Sequence, residues 1–220
     1  MPHAVDHHAI LDQLGSGNVF TTIDPARTAH LIVDMQNGFM EAGAPVEVPM
    51  ARAVVPQINA ISRALRQAGG LNVFLRYTTP TDWEHDWTVF WQRMGVAAAD
   101  HREAFTPGAR YHELSPALDL AEGDLVVDKH RFSGFFPGTS RLPDVLRHHA
   151  IDTLIISGTL TNCCCESTAR DGMQGGYRVI MAADANAALS DEAHAASLHI
   201  LAMVFADLMS SDEIVAALET

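Results

Sequence analysis

Residues 153–157, Thr-Leu-Ile-Ile-Ser, make a short apolar run rich in β-branched side chains, which leads through Gly158 into Thr-Leu-Thr-Asn and three consecutive cysteines. A run of that length without polar alternation reads as a strand buried on both faces, as in parallel sheets covered by helices. Gly158 breaks the strand, and Thr161 and Asn162 are residue types that cap a helix start. The segment from Cys164 to Arg170 carries good helix formers, and Gly172, Gly175 and Gly176 sit where it should stop. The pattern is a strand-to-helix elbow with Cys163, Cys164 and Cys165 in the first helical turn. Unpaired N–H groups and the helix dipole favour an anion there, which predicts a thiol pKa below the free value of ~8.5. Close packing of helix against sheet is the other use of small residues here, and it suits Cys163 and Cys165.

The same punctuation recurs along the chain. Strand-like runs lie at His30–Asp34, Asn72–Tyr77, Asp124–Lys129 and Tyr177–Ala182, with a short one at Ala206–Ser210. Helical patterns separate them. Ile58, Ile61, Leu65 and Ala68 mark one apolar face, with Pro56 tolerable only in the first turn and Gly69-Gly70 as the stop. Further helices are predicted from near Ser140 to His149, from Asp191 towards Phe205, and from Ser211 to Glu219. Such alternation predicts an α/β fold: three layers, α/β/α, with a doubly wound, mostly parallel sheet of about six strands. The domain is expected to span residues 26–220, behind an extension over 1–25. That extension reads as helical from Ala4 to Leu14 before the break at Gly15-Ser16-Gly17, and His3, His7 and His8 read as solvated surface groups. Residues 78–123 are too long for a plain connection, and such insertions usually carry function. Within them Trp83, Trp87, Phe90 and Trp91 recur at helical spacing, as packing, a subunit face or a pocket wall.

A formal net charge of −13 argues against a nucleic-acid backbone or an anionic membrane as partner. No run has the length of a membrane span, and the first residues lack the basic start and apolar centre of a signal peptide. Three adjacent cysteines cannot make a disulfide framework, so a reducing, cytoplasmic location is expected.

Three strands end on Asp34, Lys129 and the cysteine elbow. Strand ends of a parallel sheet open on one edge, so these groups converge although they are distant in sequence. A carboxylate beside a thiol takes its proton and returns it to a leaving amine, while an ammonium stabilises the anionic states, which is the chemistry of nucleophilic acyl transfer. His130 neighbours Lys129, but strand alternation points the two apart.

Leu31-Ile32-Val33-Asp34-Met35-Gln36-Asn37-Gly38-Phe39, the segment Lys129 to Phe136, and Gly158 to Asp171 resemble, in order, the three signature blocks of the isochorismatase-like cysteine hydrolases. The resemblance covers roughly residues 26–210 and is strongest, through Thr161–Thr168, to the ureidoacrylate amidohydrolase and streptothricin hydrolase branch. It implies Cys164 as nucleophile, with Asp34 and Lys129 completing a catalytic triad. It further implies a cis peptide at Thr159–Leu160 and an oxyanion hole from the N–H groups of Leu160 and Cys164. Nicotinamidases of this family hold a metal through an aspartate and histidines after the first block. Residues 40–70 here contain neither type, so no metal and no other cofactor is expected. True isochorismatases cleave a vinyl ether without the cysteine, so Cys164 argues against that reaction.

The reading is therefore a metal-free cysteine hydrolase of an amide, ureido or lactam C–N bond, working through an acyl-thioenzyme. Its partner is a small-molecule amide or ureido substrate, and the resemblance implies a homodimer or homotetramer. Gln36, Phe39, Arg76, Trp83, Arg131 and Phe135 are the candidate pocket residues. A vinyl-ether hydrolase, or a thiol-based binding or redox-sensing protein on the same fold, is the alternative.

Overall fold

In the computed structural model, which describes residues 5–15, 17–20 and 22–219, six strands form one sheet. They are Thr28–Val33 (β1), Leu71–Tyr77 (β2), Leu125–Lys129 (β3), Thr153–Thr159 (β4), Arg178–Ala187 (β5) and Asp207–Met209 (β6). The order is β3-β2-β1-β4-β5-β6, and every neighbouring pair is parallel. The order reverses between β1 and β4, the switch point at which an open α/β sheet leaves a crevice outside its strand ends.

Side-chain alternation sorts the core into two layers. Ala29, Leu31 and Val33 of β1 join Leu154 and Ile156 of β4 on one face, while Ile32 and Ile155 point to the other. The first face is covered by His7–Leu14 (α1), Leu142–His148 (α6), Glu166–Gln174 (α7) and Asp191–Val204 (α8). The second is covered by Val55–Gln67 (α3) and Ser211–Leu218 (α9). Ile58, Ile61 and Leu65 bury the predicted α3 face, with Pro56 in its first turn. The long insertion supplies Thr88–Met94 (α4) and Ala98–Ala104 (α5), and a single turn, Asn37–Met40 (α2), follows β1.

Three local expectations change. The strand predicted over Tyr177–Ala182, ending at Asp184, continues to Ala187 as β5. Its register against β4 jumps between Ile156 and Gly158, and Asn186 Nδ2 donates to Ile156 O and Ala182 O, so side-chain bonds replace the interrupted ladder. Asp184 looks away from any crevice: its carboxylate accepts from Ser211 N and Ser211 Oγ, both at 2.7 Å, at the start of α9. The helix of the extension begins at His7 behind an Asp6 cap, with His3 and Ala4 outside the described residues. His7 is no solvated residue: it is buried, with Nε2 2.9 Å from Glu213 Oε2, because Ile10 of the same helix packs into the core and seats α1 against α8 and β6. No helix is long and apolar enough to cross a membrane among the described residues.

Candidate active site

The switch point sets Val33 of β1 beside Gly158 of β4, so the residues that follow each strand meet there. Gly158 makes the approach possible. Its φ is +117°, and a Cβ on it would sit 2.2 Å from the Val33 carbonyl oxygen. One residue past β1, Asp34 turns into the left-handed region at φ 53°, a conformation that aspartate tolerates better than most residues. Its carboxylate is completely buried. Lys129 lies at the end of β3, two strands away, level with Tyr77 of β2, with its Nζ 5.6 Å from the centroid of the Tyr77 ring. Lys129 Nζ donates to Asp34 Oδ2 at 2.7 Å and to the Arg131 carbonyl at 3.0 Å. The other oxygen, Asp34 Oδ1, takes no regular hydrogen bond among the described residues, and the Cys164 thiol is close enough to act on the carboxyl as a donor.

Burial raises the Asp34 pKa above the usual carboxylate range, opposed first by the Lys129 charge and then by the Cys164 thiol. Burial works against the Lys129 charge, but Asp34 and the neighbouring thiols outweigh it and keep the ammonium protonated. The pair is thus an ammonium holding a carboxylate that accepts a proton more readily than an exposed one.

The elbow differs from a plain helix start. Thr161–Cys165 winds as one wide π turn before α7 begins at Glu166, and the Thr159–Leu160 peptide is cis. Thr161 and Asn162 do not cap it. The Leu160 carbonyl accepts from Cys163 N and Cys165 N, and Thr161 Oγ1 pairs instead with His194 Nδ1 at 2.8 Å. Cys165 is fully buried under the sheet, whereas Cys164 and the half-buried Cys163 both line the crevice. The i→i+5 winding explains why two thiols face it: successive side chains diverge less than in an α-helix.

The predicted low thiol pKa also fails for Cys164. A hydrogen bond to the Cys163 sulfur and complete burial, with Asp34 adding to them, push the Cys164 thiol well above its ordinary range. Cys163 is held down by that same bond. The Cys163 hydrogen bond and then the desolvation of a buried site outweigh the helix-terminus field.

A cavity of about 290 Å³ opens over Cys163 and Cys164, walled by Phe39, Val48, Tyr77, Phe90, Phe132 and Leu160. Of the predicted pocket residues only Phe39 belongs to it. Gln36 is buried below, its Nε2 donating to the Tyr77 and His112 carbonyls and its Oε1 accepting from Tyr77 N, so it fixes the loop after β1. Arg76 is held at 2.7 Å by Asp128 on the neighbouring strand. Arg131 is engaged by Asp86 and lies over the Trp87 ring. Trp83 lies under the Arg102 guanidinium, and Phe135 packs with Tyr177 beside Gly172. The aromatic stripe is partly a wall. Phe90 lines the cavity, Trp87 stacks on it at 4.1 Å, and Trp91 is buried behind.

Sequence reasoning missed Tyr77, Phe132 and His101 as lining residues. Tyr77 ends a strand, so the logic that selected Asp34 and Lys129 would have found it. His101 sits in an irregular insertion with no such signal. The three-ligand cluster His7, His8 and Glu213 lies between α1 and α9 and shares no residue with the cavity.

Residues 28–213 match the isochorismatase domain model. The ureidoacrylate amidohydrolase of Pseudomonas savastanoi pv. phaseolicola is 30% identical over 208 residues, covering 86% of this chain and 82% of the relative. Among solved structures, a cysteine hydrolase from Pseudomonas syringae pv. phaseolicola superposes with a TM-score of 0.82 at 31% identity, over 90% of this chain and 95% of that one. An N-carbamoylsarcosine amidase from Thermoplasma acidophilum superposes at 0.70 with 26% identity, over 84% and 97%. With the strand order, the switch-point crevice and a match across most of its length, the chain belongs to the isochorismatase family of hydrolases.

Proposed function

We propose that this protein hydrolyses a small-molecule C–N bond of the amide or ureido type, with Cys164 as nucleophile and Asp34 and Lys129 as its partners. The observation that carries the reading is the buried Asp34–Lys129 pair, whose carboxyl the Cys164 thiol is close enough to reach, with Cys164 itself lining the cavity. Relatives named as amidases or amidohydrolases support the bond type.

Because the resting Cys164 is a thiol, its proton has to leave as the carbonyl is attacked. Asp34 takes it, helped by burial, which makes the carboxylate a better base. The Sγ–C bond forms and the carbonyl oxygen becomes the oxyanion. The N–H groups of Leu160 and Cys164, the oxyanion hole that the family resemblance implies, stabilise it, while those of Cys163 and Cys165 are engaged by the Leu160 carbonyl. Asp34 then returns the proton to the leaving nitrogen, the C–N bond breaks, and ammonia or an amine departs. Water, deprotonated by Asp34, attacks the acyl carbon, the C–Sγ bond breaks to release the acid, and Asp34 returns the proton to Cys164 Sγ to restore the resting thiol. Lys129 stays protonated throughout and balances the charge.

The test is ammonia release from a panel of ureido acids, primary amides and lactams, with mass spectrometry of the quenched enzyme. Turnover with an acyl adduct on Cys164 is expected. An adduct on Cys163, or undiminished turnover by Cys164→Ala, would overturn the assignment.

A further inference from the structure

Helix α1 carries two adjacent histidines, and Asp6 caps it by accepting from His8 N and Ala9 N, so the turn that bears them is fixed. Ile10 packs into the core and seats that turn on the protein. The fold then brings Glu213, 206 residues along the chain from His7, against both rings. His7 Nε2 lies 2.9 Å from Glu213 Oε2, and His8 Nε2 lies 3.3 Å from Oε1. One ligand atom from each of the three residues falls within 4.8 Å of the other two. Ligands about 2.1 Å from a tetrahedral zinc stand about 3.4 Å apart, so small side-chain adjustments centre an ion among them.

The carboxylate is already oriented. Ser210 N and Ser210 Oγ donate to Glu213 Oε2, at 2.7 and 3.0 Å, as part of the capping box that starts α9, while Oε1 faces His8. Outer hydrogen bonds of this kind fix a ligating carboxylate and tighten a metal site. An ion can also reach it: the His8 side chain is 63% exposed and that of Glu213 38%, with His7 as the buried back wall. The donor set selects the ion. Two imidazoles and one carboxylate suit zinc and the other late first-row divalent ions, whereas calcium and magnesium take oxygen ligands.

We propose that His7, His8 and Glu213 form a zinc site, with water as fourth ligand, which clamps α1 to the first turn of α9. The site is structural. It shares no residue with the cavity over Cys164 and lies outside residues 40–70, where a metal of the nicotinamidase kind would be held. Its ligands come together only in the folded chain, so zinc binds the native state in preference to the unfolded one and stabilises it. The clamp adds to the seat that α1 already has on α8 and β6. The proposal is independent of the amidase reading, since no substrate enters its test.

The full chain, stripped with chelator and dialysed, is titrated with zinc chloride by calorimetry and melted with and without the ion. At free zinc a hundredfold above its Kd, the Tm should rise by about 5–10 °C. His8→Ala is the decisive variant, because His8 is exposed and a melt in chelator should match wild type. It should bind zinc at least about tenfold more weakly, the least that losing even an outer partner of a metal ligand costs, and so lose about half of the Tm rise or more. Glu213→Gln, which retains a residue suited to the capping box, should do the same. Calcium and magnesium chloride should shift nothing. No zinc binding, or an equal rise with calcium, overturns the proposal. So does a rise that either variant keeps intact, which would put the ion elsewhere, as on the cysteines.

Discussion

Asp34 and Lys129 form an ion pair at 2.7 Å with neither side chain exposed, so removing one charge strands the other where water cannot reach it. Breaking such a pair costs about 3–5 kcal/mol, whereas replacing both charges together is often near neutral. Asp34→Asn is the cleanest single change, because asparagine also tolerates the φ of 53° that the backbone adopts there. It leaves the ammonium with neutral acceptors only, the new amide oxygen and the Arg131 carbonyl at 3.0 Å, and no counter-charge. Lys129→Met leaves the carboxylate without the charge that opposes its burial. Each single variant should lose about 3–5 kcal/mol in urea unfolding, and the double variant no more than about 2 kcal/mol, a coupling of several kcal/mol. Activity should follow a different course. Asp34→Asn should lower kcat by about 10²–10⁴-fold, and the stable double variant should not recover it, because the proton acceptor is still missing. Lys129→Met should also move the acid limb of kcat/KM to higher pH, since loss of the cation raises the Asp34 pKa. Additive losses in the cycle, or near wild-type kcat in folded Asp34→Asn with chemistry rate-limiting, would refute the argument.

Three further outcomes are expected. Cys164→Ala should be folded and inactive, while Cys163→Ala and Cys165→Ala should keep most of kcat, which steady-state ammonia release checks. His30 is fully buried against Ser157 and Ser62, and burial pushes its pKa from 6.5 down to about 3. The unfolded chain therefore binds the proton first, and stability falls as pH drops from 6.5 towards 3. The loss between pH 7.5 and 5 is about 2 kcal/mol, and His30→Gln should flatten that part of the urea-midpoint profile; an unchanged slope would show that His30 is not the group responsible. Gly158→Ala should cost about 3 kcal/mol or more, because the φ of +117° and the Val33 backbone both exclude a Cβ. A thermal melt close to wild type would count against the close approach of β1 and β4.

Hydrophobic period and punctuation were enough to reveal the sheet, its helical cover and the groups at the ends of β1 and β3, because strand ends of a parallel sheet share one edge whatever their separation in sequence. Asp34, Lys129 and the elbow were legible for that reason. The pocket was not. Arg76 and Arg131 looked available only because their partners, Asp128 on the adjacent strand and Asp86 in the insertion, lie 52 and 45 residues away in the chain. Gln36 looked free for the same reason, though folding commits its amide to backbone groups of Tyr77 and His112. His101 acquires its place only when the insertion folds over the sheet edge. The thiol pKa was read from the field of a regular helix end, whereas the Cys163 contact comes from the π winding of the elbow, and burial and the approach of Asp34 are set by packing between elements. Residue type and spacing determine which groups reach the crevice, but which of them are still unpaired when they arrive is decided by the tertiary structure.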